Sequence, residues 1–356
     1  MTLDKLVVEG TNFGRPVWPL SWGDALPLLK RLLALKGPLL HANGQEAKLR
    51  AELQRHKHYR WPAHLSPAAG IIAGHGSAPR SPLLEWVYRR LRELPGMLKG
   101  AEDVRSVVVF GSAARPEDFV EGVSDVDVLV LVAGEPRRRH YTLELEGQRV
   151  DVVVLRAEEL VRLAEEGDPL AFMVKRGLAL VDDGTFSALK LEPRVTERTL
   201  DTLRRSALAA LGLALENLLK GASLRAVHHA YHAVRHAARY KAALTSGYVP
   251  ISDKEVSSTG GATAQAFITL ASMRRRQVSQ QEAEQALELA VAAVAAELGL
   301  AAPKLSALAE LEGEAITAWA REEGGELTFT VVCLGEKGER MHKLTARGLL
   351  TETGEL

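Results

Sequence analysis

The segment Val107–Val132 constrains the fold of this chain more than any other part of the sequence. It begins with four apolar residues that predict a buried strand, and Gly111-Ser112 follows where that strand would turn. A polar loop then leads to Asp125-Val126-Asp127 at the start of a second valine-rich run. Because alternate residues of a strand share a face, the two carboxylates point to one side, about 6–7 Å apart along the chain, and the valines point into a core.

Two neighbouring carboxylates on an apolar strand repel each other and lose solvation, which favours a cation between them. A third acid has a similar setting, because Asp151 is the one acid in the strand-like run Gln148–Leu155. If this run lies beside the strand that contains Asp127, the three acids converge on one face. Magnesium suits such a site, since it takes oxygen ligands and shares them with substrate phosphates. A calcium site or a solvated acidic turn is the alternative, but it explains poorly why the acids lie in valine-rich strands.

Together these residues resemble the signature of the DNA polymerase β-like nucleotidyltransferase superfamily: Gly111, Ser112, Asp125, Asp127 and Asp151. The resemblance implies transfer of a nucleoside monophosphate from a nucleoside triphosphate to an acceptor hydroxyl, with two Mg²⁺ ions, or Mn²⁺ in their place. The three aspartates would be catalytic and would bind the metals. ATP is the expected donor, and the acceptor, with RNA and protein as candidates, stays open. The expected phosphate-binding residues of this domain are Gly111, Ser112 and Ser124.

The composition excludes some classes of protein. Lys+Arg and Asp+Glu each count 45 among the 356 residues, so no overall charge indicates nucleic acid or a membrane as the partner. The single cysteine, Cys333, excludes an internal disulfide and fits a reducing compartment. Neither a leader nor an apolar run long enough to cross a bilayer is recognisable. We therefore expect a cytoplasmic protein without a membrane partner.

We predict an α+β fold in which a nucleotidyltransferase-type mixed sheet with flanking helices is joined to an antiparallel four-helix bundle. The predicted domains are a mostly helical N-terminal extension, the catalytic domain, the bundle and a small α/β accessory segment, at residues 1–80, 81–190, 194–300 and 301–356. Within the last segment the pattern predicts a helix over 305–321, a hairpin across Gly335–Gly338 and a short helix near 341–350. A winged-helix end is an alternative for that segment.

Three features at the edges of these domains have local interpretations. Ser81-Pro82 predicts a helix start, with serine as the N-cap and proline at the first helical position. The basic and aromatic cluster Arg55–Trp61 is either a nucleic-acid contact or, more simply, a charged helix end. The run Arg137–Arg139 is either a solvated turn or a contact for a triphosphate.

A basic stripe follows one face of the predicted helix Ser223–Ala243. At 100° per residue its members fall within about 120° of arc: Arg225, His228, His229, His232, Arg235, His236 and Arg239. The stripe contains no acid, which favours an anion as its partner over a solvated face. A zinc site made by His228, His232 and His236 at i, i+4 and i+8 is a further alternative. The members expected to contact phosphate at the catalytic cleft are Arg225, His229, His232, Arg235 and His236.

The predicted bundle resembles the higher-eukaryote-and-prokaryote nucleotide-binding domain, HEPN. The resemblance is carried by Ala230–Ala233, by the loop that contains Gly247, Pro250 and Asp253, and by Met273–Arg276. A nucleotidyltransferase followed by such a bundle is a combination known in prokaryotes. Ribonuclease members have an arginine followed after four to six residues by a histidine. Because the corresponding stretch after Met273 has no such histidine, the resemblance does not imply ribonuclease activity.

Two other functions are compatible with these patterns. The chain could be a nucleotide-binding regulatory or antitoxin-like protein without turnover, or an RNA-binding module that uses the basic helix and the tail. All three expected acids are present, which favours the enzyme. A homodimer is a candidate assembly that the sequence alone does not test.

Overall fold

The computed structural model describes residues 82–98, 102–145, 147–335 and 338–352. The expectations for the extension at residues 1–80, including the basic cluster Arg55–Trp61, lie outside these residues, as does the predicted helix cap Ser81. Among the described helices, none is long and apolar enough to cross a membrane.

The chain divides into two compact units. The first contains the described residues up to Glu159 together with Arg176–Lys190. The second contains Leu160–Lys175 and the described residues from Leu191 onward. The predicted domain bounds differ from this division at residues 160–175, which group with the second unit although the prediction assigned all of 81–190 to the catalytic domain.

The first unit is built on the mixed sheet that the sequence predicts. Its elements are helices α1 (Pro82–Leu91) and α2 (Leu94–Met97) and strands β1 (Val104–Phe110), β2 (Val126–Val132), β3 (His140–Leu145), β4 (Gln148–Arg156) and β5 (Leu178–Asp182). A further helix, α3 (Ala157–Glu165), begins in this unit directly after β4. In the described part of the chain the strand order is β3-β4-β2-β1-β5. Strands β2 and β4 are parallel, and the other neighbours are antiparallel.

One face of this sheet forms the apolar core of the first unit. It carries the alternate valines of β2 and β4, which are almost fully buried: Val126, Val128, Val130, Val150, Val152 and Val154. Helix α1 packs its apolar residues into the same cluster, among them Leu84, Val87 and Leu91. Because side chains alternate along a strand, the intervening residues of β2 and β4 lie on the opposite face. Two of the predicted carboxylates, Asp127 and Asp151, are among those residues, whereas Asp125 directly precedes β2 and is exposed.

The second unit combines helices with an antiparallel sheet. Its elements are α4 (Pro169–Val174), α5 (Glu197–Leu219), α6 (Ser223–Ser246), α7 (Asp253–Ser257), α8 (Gly261–Met273), α9 (Gln280–Leu298), β6 (Glu314–Glu323), β7 (Glu326–Gly335), β8 (Gly338–Thr345) and β9 (Gly348–Glu352). Local sequence sets the helix ends. Capping boxes at Thr196 and Ser279 start α5 and α9. Left-handed glycines, Gly247 and Gly299, end α6 and α9.

The longer helices and the sheet of the second unit share one apolar core. The core residues include Leu211 and Leu215 of α5, Tyr231 of α6 and Phe267 of α8. Phe329 of β7 belongs to the same cluster, so the sheet packs one face against the helices. The helices were predicted, and the sheet that completes their core was predicted only in part.

The helix predictions for the tail were wrong. The region predicted as a helix over 305–321 is a 3-10 helix at Leu305–Glu310 followed by strand β6, and the helix predicted near 341–350 is the β8–β9 hairpin. The winged-helix alternative is wrong for the same reason. The hairpin across Gly335–Gly338 is confirmed, because these two glycines are register partners of β7 and β8.

Candidate functional site

Strands β2 and β4 bring two of the predicted carboxylates side by side. Asp127 and Asp151 are register partners in the parallel pairing of these strands, so both side chains lie on the face opposite the valine core. Phe110, the last residue of β1, is the register partner of Asp127 on its other side. This arrangement confirms the prediction that the strand with Asp151 lies beside the Asp125-Val126-Asp127 strand.

Gly111 places the turn after β1 directly against Asp127. Its φ of +66° is in the left-handed region, and it begins the 3-10 turn Gly111–Ala114. A β-carbon built on Gly111 would lie 3.2 Å from Cγ of Asp127 and would overlap Oδ2 of the same side chain. Glycine is therefore required both by the backbone and by the carboxylate. Within the turn, the carbonyl of Ser112 accepts a hydrogen bond of 2.9 Å from the backbone N–H of Arg115.

Two buried contacts hold the loop between β1 and β2. Tyr88 of α1 donates its hydroxyl hydrogen bond to the carbonyl of Ala113. Arg115 donates from Nε to Oδ2 of Asp118 over 2.6 Å, and the two side chains are 11% and 2% exposed. Replacing either partner of a buried ion pair with a neutral residue destabilises the fold, because the remaining charge stays buried without a partner. The sequence analysis missed this pair, although arginine and aspartate three residues apart in a loop are a recognisable signal.

Ser124, the third predicted phosphate-binding residue, is buried at the end of the same loop. Its hydroxyl oxygen accepts a hydrogen bond of 3.0 Å from the backbone N–H of Val120. Its carbonyl accepts one of 2.8 Å from the side-chain amide of Gln148 at the start of β4. These bonds attach the loop to the neighbouring strand directly before Asp125. A phosphate-binding role for Ser124 stays a prediction.

Asp151 already has two partners in its own sheet. Thr142 of β3 donates from its hydroxyl to Oδ1 over 2.9 Å. Arg149 donates from Nε, which lies 3.2 Å from Oδ1 and 3.0 Å from Oδ2. The Asp151 side chain is 18% exposed and the Arg149 side chain 60%. Sequence reasoning missed Arg149, although its position two residues before Asp151 on one strand places both on the same face.

Arg149 interacts electrostatically with each of the three carboxylates. Burial raises the pKa of the Asp125 carboxyl, the positive charge of Arg149 lowers it, and the negative charge of Asp151 raises it. The pKa of Arg149 is raised by its hydrogen bond and charge interaction with Asp151, and further by the charges of Asp125 and Asp127. The guanidinium therefore lies within the field of all three acids.

The donor chemistry of this face fits magnesium. The three predicted ligands offer only carboxylate oxygens, which are the ligands that Mg²⁺ prefers, and a cation would relieve the repulsion between Asp125 and Asp151. Across the described residues, no group of three or more histidine, cysteine, aspartate or glutamate side chains is arranged to hold a metal ion. Asp151 is instead bonded to Thr142 and Arg149. The histidines of α6, which lie among the described residues, form no such group either, and this argues against the zinc alternative.

The basic stripe on α6 is mostly covered by protein. Arg225 is exposed, whereas His229, His232 and His236 are half-buried and Arg235 is 5% exposed. The alternative of a solvated face is therefore wrong for most of the stripe. The proposed contact of these residues with phosphate stays a prediction.

The buried arginines of the stripe hold a neighbouring loop. Arg235 donates from Nη2 to the carbonyl of Ile251 over 2.6 Å, and Arg239 donates from Nε to the carbonyl of Pro250 over 2.8 Å. Asp253 lies 3.6 Å from Arg235 and accepts a hydrogen bond of 2.5 Å from the hydroxyl of Tyr231. The stripe thus fastens the loop after α6 to the helix.

The stripe histidines are held in their neutral form. His228 and His232 approach each other at 3.2 Å between their Nε2 atoms. Burial, with the charges of Arg274 and His229, lowers the pKa of His228 to about 3. Burial also lowers the pKa of His236 to about 3, and that of His232 well below its ordinary value. The positive charge that a histidine ordinarily gains as the pH falls below about 6.5 is therefore not available from these three rings at that pH.

The run Arg137–Arg139 is exposed, as expected of a solvated turn. Within it, Arg139 pairs with Glu135 at 2.9 Å and with Glu159 at 2.6 Å. These bonds give Arg139 acidic partners within the first unit. Contact of the run with a triphosphate stays a prediction.

Comparison with known proteins finds a similarity over the segment that contains the sheet of the first unit. Residues 89–180 match the family model of the nucleotidyltransferase domain. No curated protein matches the chain. A solved structure of a nucleotidyltransferase-like protein from Exiguobacterium sibiricum is 14% identical over 66% of this chain and 82% of that chain, but its TM-score of 0.28 is too low to carry an argument. The residues Gly111, Asp125, Asp127 and Asp151 therefore lie within the segment that is similar to the nucleotidyltransferase domain.

Proposed function

We propose that the chain transfers a nucleoside monophosphate from a nucleoside triphosphate to an acceptor hydroxyl and releases pyrophosphate. The observation that carries this proposal is the in-register pairing of Asp127 with Asp151 beside Gly111, within the segment that matches the nucleotidyltransferase domain. In this reaction the acceptor oxygen forms a bond to the α-phosphorus, and the bond from that phosphorus to the pyrophosphate oxygen breaks. ATP is the proposed donor, and RNA or protein the proposed class of acceptor.

The residues of the site have separate roles in this proposal. Asp125 and Asp127 would bind the Mg²⁺ ions, and Asp151 would complete the second site close to the acceptor hydroxyl. When bound, Mg²⁺ neutralises phosphate charge and lowers the pKa of the acceptor hydroxyl. Gly111 and Ser112 would turn their backbone N–H groups toward the leaving phosphates, since a glycine turn lets phosphate approach closely. Most of the rate enhancement would come from positioning and from charge complementarity.

The second unit is proposed to be HEPN-like and to take part in binding the nucleotide or the acceptor. Its helices α5, α6, α8 and α9 share one core, and Arg225 is the exposed member of the basic stripe. Ribonuclease activity is not proposed for it, because the arginine–histidine pattern of ribonuclease members is missing. A homodimer is the proposed assembly.

The test is transfer of labelled nucleotide, and release of pyrophosphate, by the full chain with Mg²⁺ and each nucleoside triphosphate. Asp127→Asn keeps the size of the side chain but removes its charge, and should lower transfer by about a hundredfold or more. Asp103→Asn is the matched control, because Asp103 is an exposed acid paired with Arg105 before β1, at the far end of that strand. Unchanged transfer and nucleotide binding in Asp127→Asn would contradict the proposal.

A regulatory nucleotide-binding protein without turnover is the second candidate. The bond between Arg149 and Asp151 favours it, because one expected metal ligand is already engaged. An antitoxin-like protein would act on, or together with, a separately encoded partner that co-purifies with it. Pyrophosphate release by the purified chain alone supports the enzyme. Tight nucleotide binding without release, in the presence or absence of that partner, supports the regulatory protein.

A further inference from the structure

Arg149 is a basic side chain that contacts Asp151 and interacts electrostatically with Asp125 and Asp127. It precedes Asp151 by two residues on β4 and bonds to both of its carboxylate oxygens, at 3.0 and 3.2 Å from Nε. Its pKa is raised by Asp151 first and then by Asp125 and Asp127, so its charge faces all three acids. Glu144 of β3 is the register partner of Arg149, so it lies on the same face.

The ion pair between Arg149 and Asp151 can break without moving Asp151. Arg149 is 60% exposed, and exposed ion pairs are weak because water competes for both charges. Arginine also has a long side chain that can move its charge while its backbone stays in the sheet. Asp151 is held in place independently by Thr142, which donates to Oδ1 over 2.9 Å. The carboxylate can therefore keep its position when the guanidinium leaves.

We propose that Arg149 is a positioning residue. Before a divalent cation binds, its guanidinium offsets part of the negative charge of the acids. When the cation binds, Arg149 releases Asp151 and then pairs with a phosphate of the nucleotide. This inference rests on the proposed function. It explains why Asp127 and Asp151 share one face of the sheet and yet belong to no group of three arranged for a metal ion among the described residues. The guanidinium of Arg149 is bonded to Asp151, which is one of the ligands that the cation would need.

Phosphate is a suitable second partner for this side chain. Arginine stays charged at every physiological pH and offers a planar pair of N–H groups that match two phosphate oxygens. When Asp151 binds the cation, the nucleotide that carries this cation would supply a phosphate to pair with Arg149. Cation and phosphate then assist each other's binding, which is a coupling between two ligands through one side chain.

Two affinities should change in opposite directions in the variant Arg149→Gln. In the full chain, Arg149→Gln should bind free Mn²⁺ roughly two- to fivefold more tightly, because the competing charge is gone. The same variant should bind the preformed complex of Mg²⁺ with inorganic triphosphate about tenfold more weakly, because the phosphate has lost a charged hydrogen bond. Both affinities can be measured by calorimetry, and Mn²⁺ also by its paramagnetic resonance signal. Inorganic triphosphate is used because it reports phosphate contacts without a base.

Two controls match this variant. Arg149→Lys keeps a positive charge and should bind free Mn²⁺ as the unmodified chain does. Arg105→Gln removes an arginine that pairs with Asp183 over 3.2 Å at the other end of β1, and should change neither affinity. Free Mn²⁺ bound no more tightly by Arg149→Gln would overturn the displacement of Arg149. An unchanged affinity for the triphosphate complex would overturn its contact with phosphate.

Asp127→Asn separates failure of this inference from failure of the proposed function. If it weakens Mn²⁺ binding while Arg149→Gln changes nothing, the acids bind the cation and only the role of Arg149 is wrong. If Asp127→Asn leaves Mn²⁺ binding unchanged, or if the chain and Arg149→Gln both bind no Mn²⁺, the acids are not the metal site. In that case the proposed function and this inference fail together.

Discussion

Gly111 is the residue at which the fold and the candidate site depend most directly on each other. Gly111→Ala should cost about 1–2 kcal/mol of strain, because its φ is +66°. The new methyl group would also displace the Asp127 carboxylate, which a β-carbon would overlap. We therefore expect a loss of stability beyond the strain and a large loss of divalent-cation binding. Chemical denaturation and Mn²⁺ titration measure the two effects.

Gly122→Ala is the matched control for that change. Gly122 has a φ of +76° and would have no atom within 4 Å of an added β-carbon, so alanine there introduces the strain without the overlap. It should lower stability by about 1–2 kcal/mol and leave cation binding intact. Equal losses of cation binding in the two variants would show that the contact between Gly111 and Asp127 does not shape the site.

The acids and the glycine of the site could be predicted because each breaks a strong local pattern. Asp127 and Asp151 interrupt valine runs that otherwise read as buried strands, and Gly111 ends such a run. Arg149 breaks no pattern, since an arginine near the start of a strand is ordinary. Its spacing from Asp151 predicts that the two side chains share a face, but the ion pair itself depends on side-chain geometry that a sequence does not contain.

Helix α6 shows the same limit at the scale of an element. The helical wheel places its basic residues on one face, and that face is real, but the wheel does not say what covers it. In the folded second unit the covering groups include the carbonyls of Pro250 and Ile251, which lie after the end of the helix. A stripe of one sign predicts an anion-binding surface, but Arg235 and Arg239 of this stripe attach a loop of the same unit.

The buried histidines of α6 should make the second unit sensitive to acid. The pKa values of His228 and His236 are lowered to about 3 in the folded protein, whereas in the unfolded chain they are near 6.5. Below pH 6.5 the unfolded chain takes up protons that the folded protein does not. Stability is therefore full above pH 6.5 and falls as the pH drops toward 3, by about 1.4 kcal/mol per pH unit for each histidine.

Denaturant unfolding between pH 7 and pH 5 tests this expectation before most carboxylates titrate. His236→Gln removes one of the titrating rings and should make the loss of stability with falling pH less steep. His140→Gln alters an exposed histidine on β3 and should leave the steepness unchanged. If stability is independent of pH over this range, the rings are accessible to protons in the folded protein and their burial is wrong.

The tail illustrates how tertiary packing overrides local propensity. Residues 314–323 are rich in alanine, glutamate and arginine, which favour helix, yet they form the edge strand β6. In that strand Ala318 is paired with Val331 on the face that completes the core of the second unit. Gly212 of α5 meets the backbone of Trp319 so closely that an added β-carbon would lie 2.7 Å from its Cα. Glycine is needed at this position of α5 for the approach, and periodicity does not reveal it.

At the scale of the whole molecule, the chain order conceals which residues belong together. Residues 160–175 follow β4 and precede β5, so the sequence assigns them to the catalytic domain, but their partners lie later in the chain. Arg198 pairs with Glu166 at 2.5 Å and with Asp168 at 2.9 Å. Phe172 and Met173 pack against the cluster around Leu203. Domain bounds drawn as continuous ranges cannot represent such an insertion.

The insertion predicts that residues 82–190, expressed alone, will not behave as a stable domain. That fragment keeps the first-unit sheet but removes Leu203 and Arg198, so Phe172 and Met173 lose their apolar cover. Uncovering two large apolar side chains costs a few kcal/mol, a large part of the roughly 5–15 kcal/mol that stabilises a domain. We expect a lower melting temperature than the full chain and binding of a hydrophobic dye. Arg198→Ala in the full chain removes only exposed ion pairs and should unfold almost as the unmodified chain does. A fragment that unfolds cooperatively at the temperature of the full chain, without binding dye, would show that residues 160–175 need no partner outside the catalytic range.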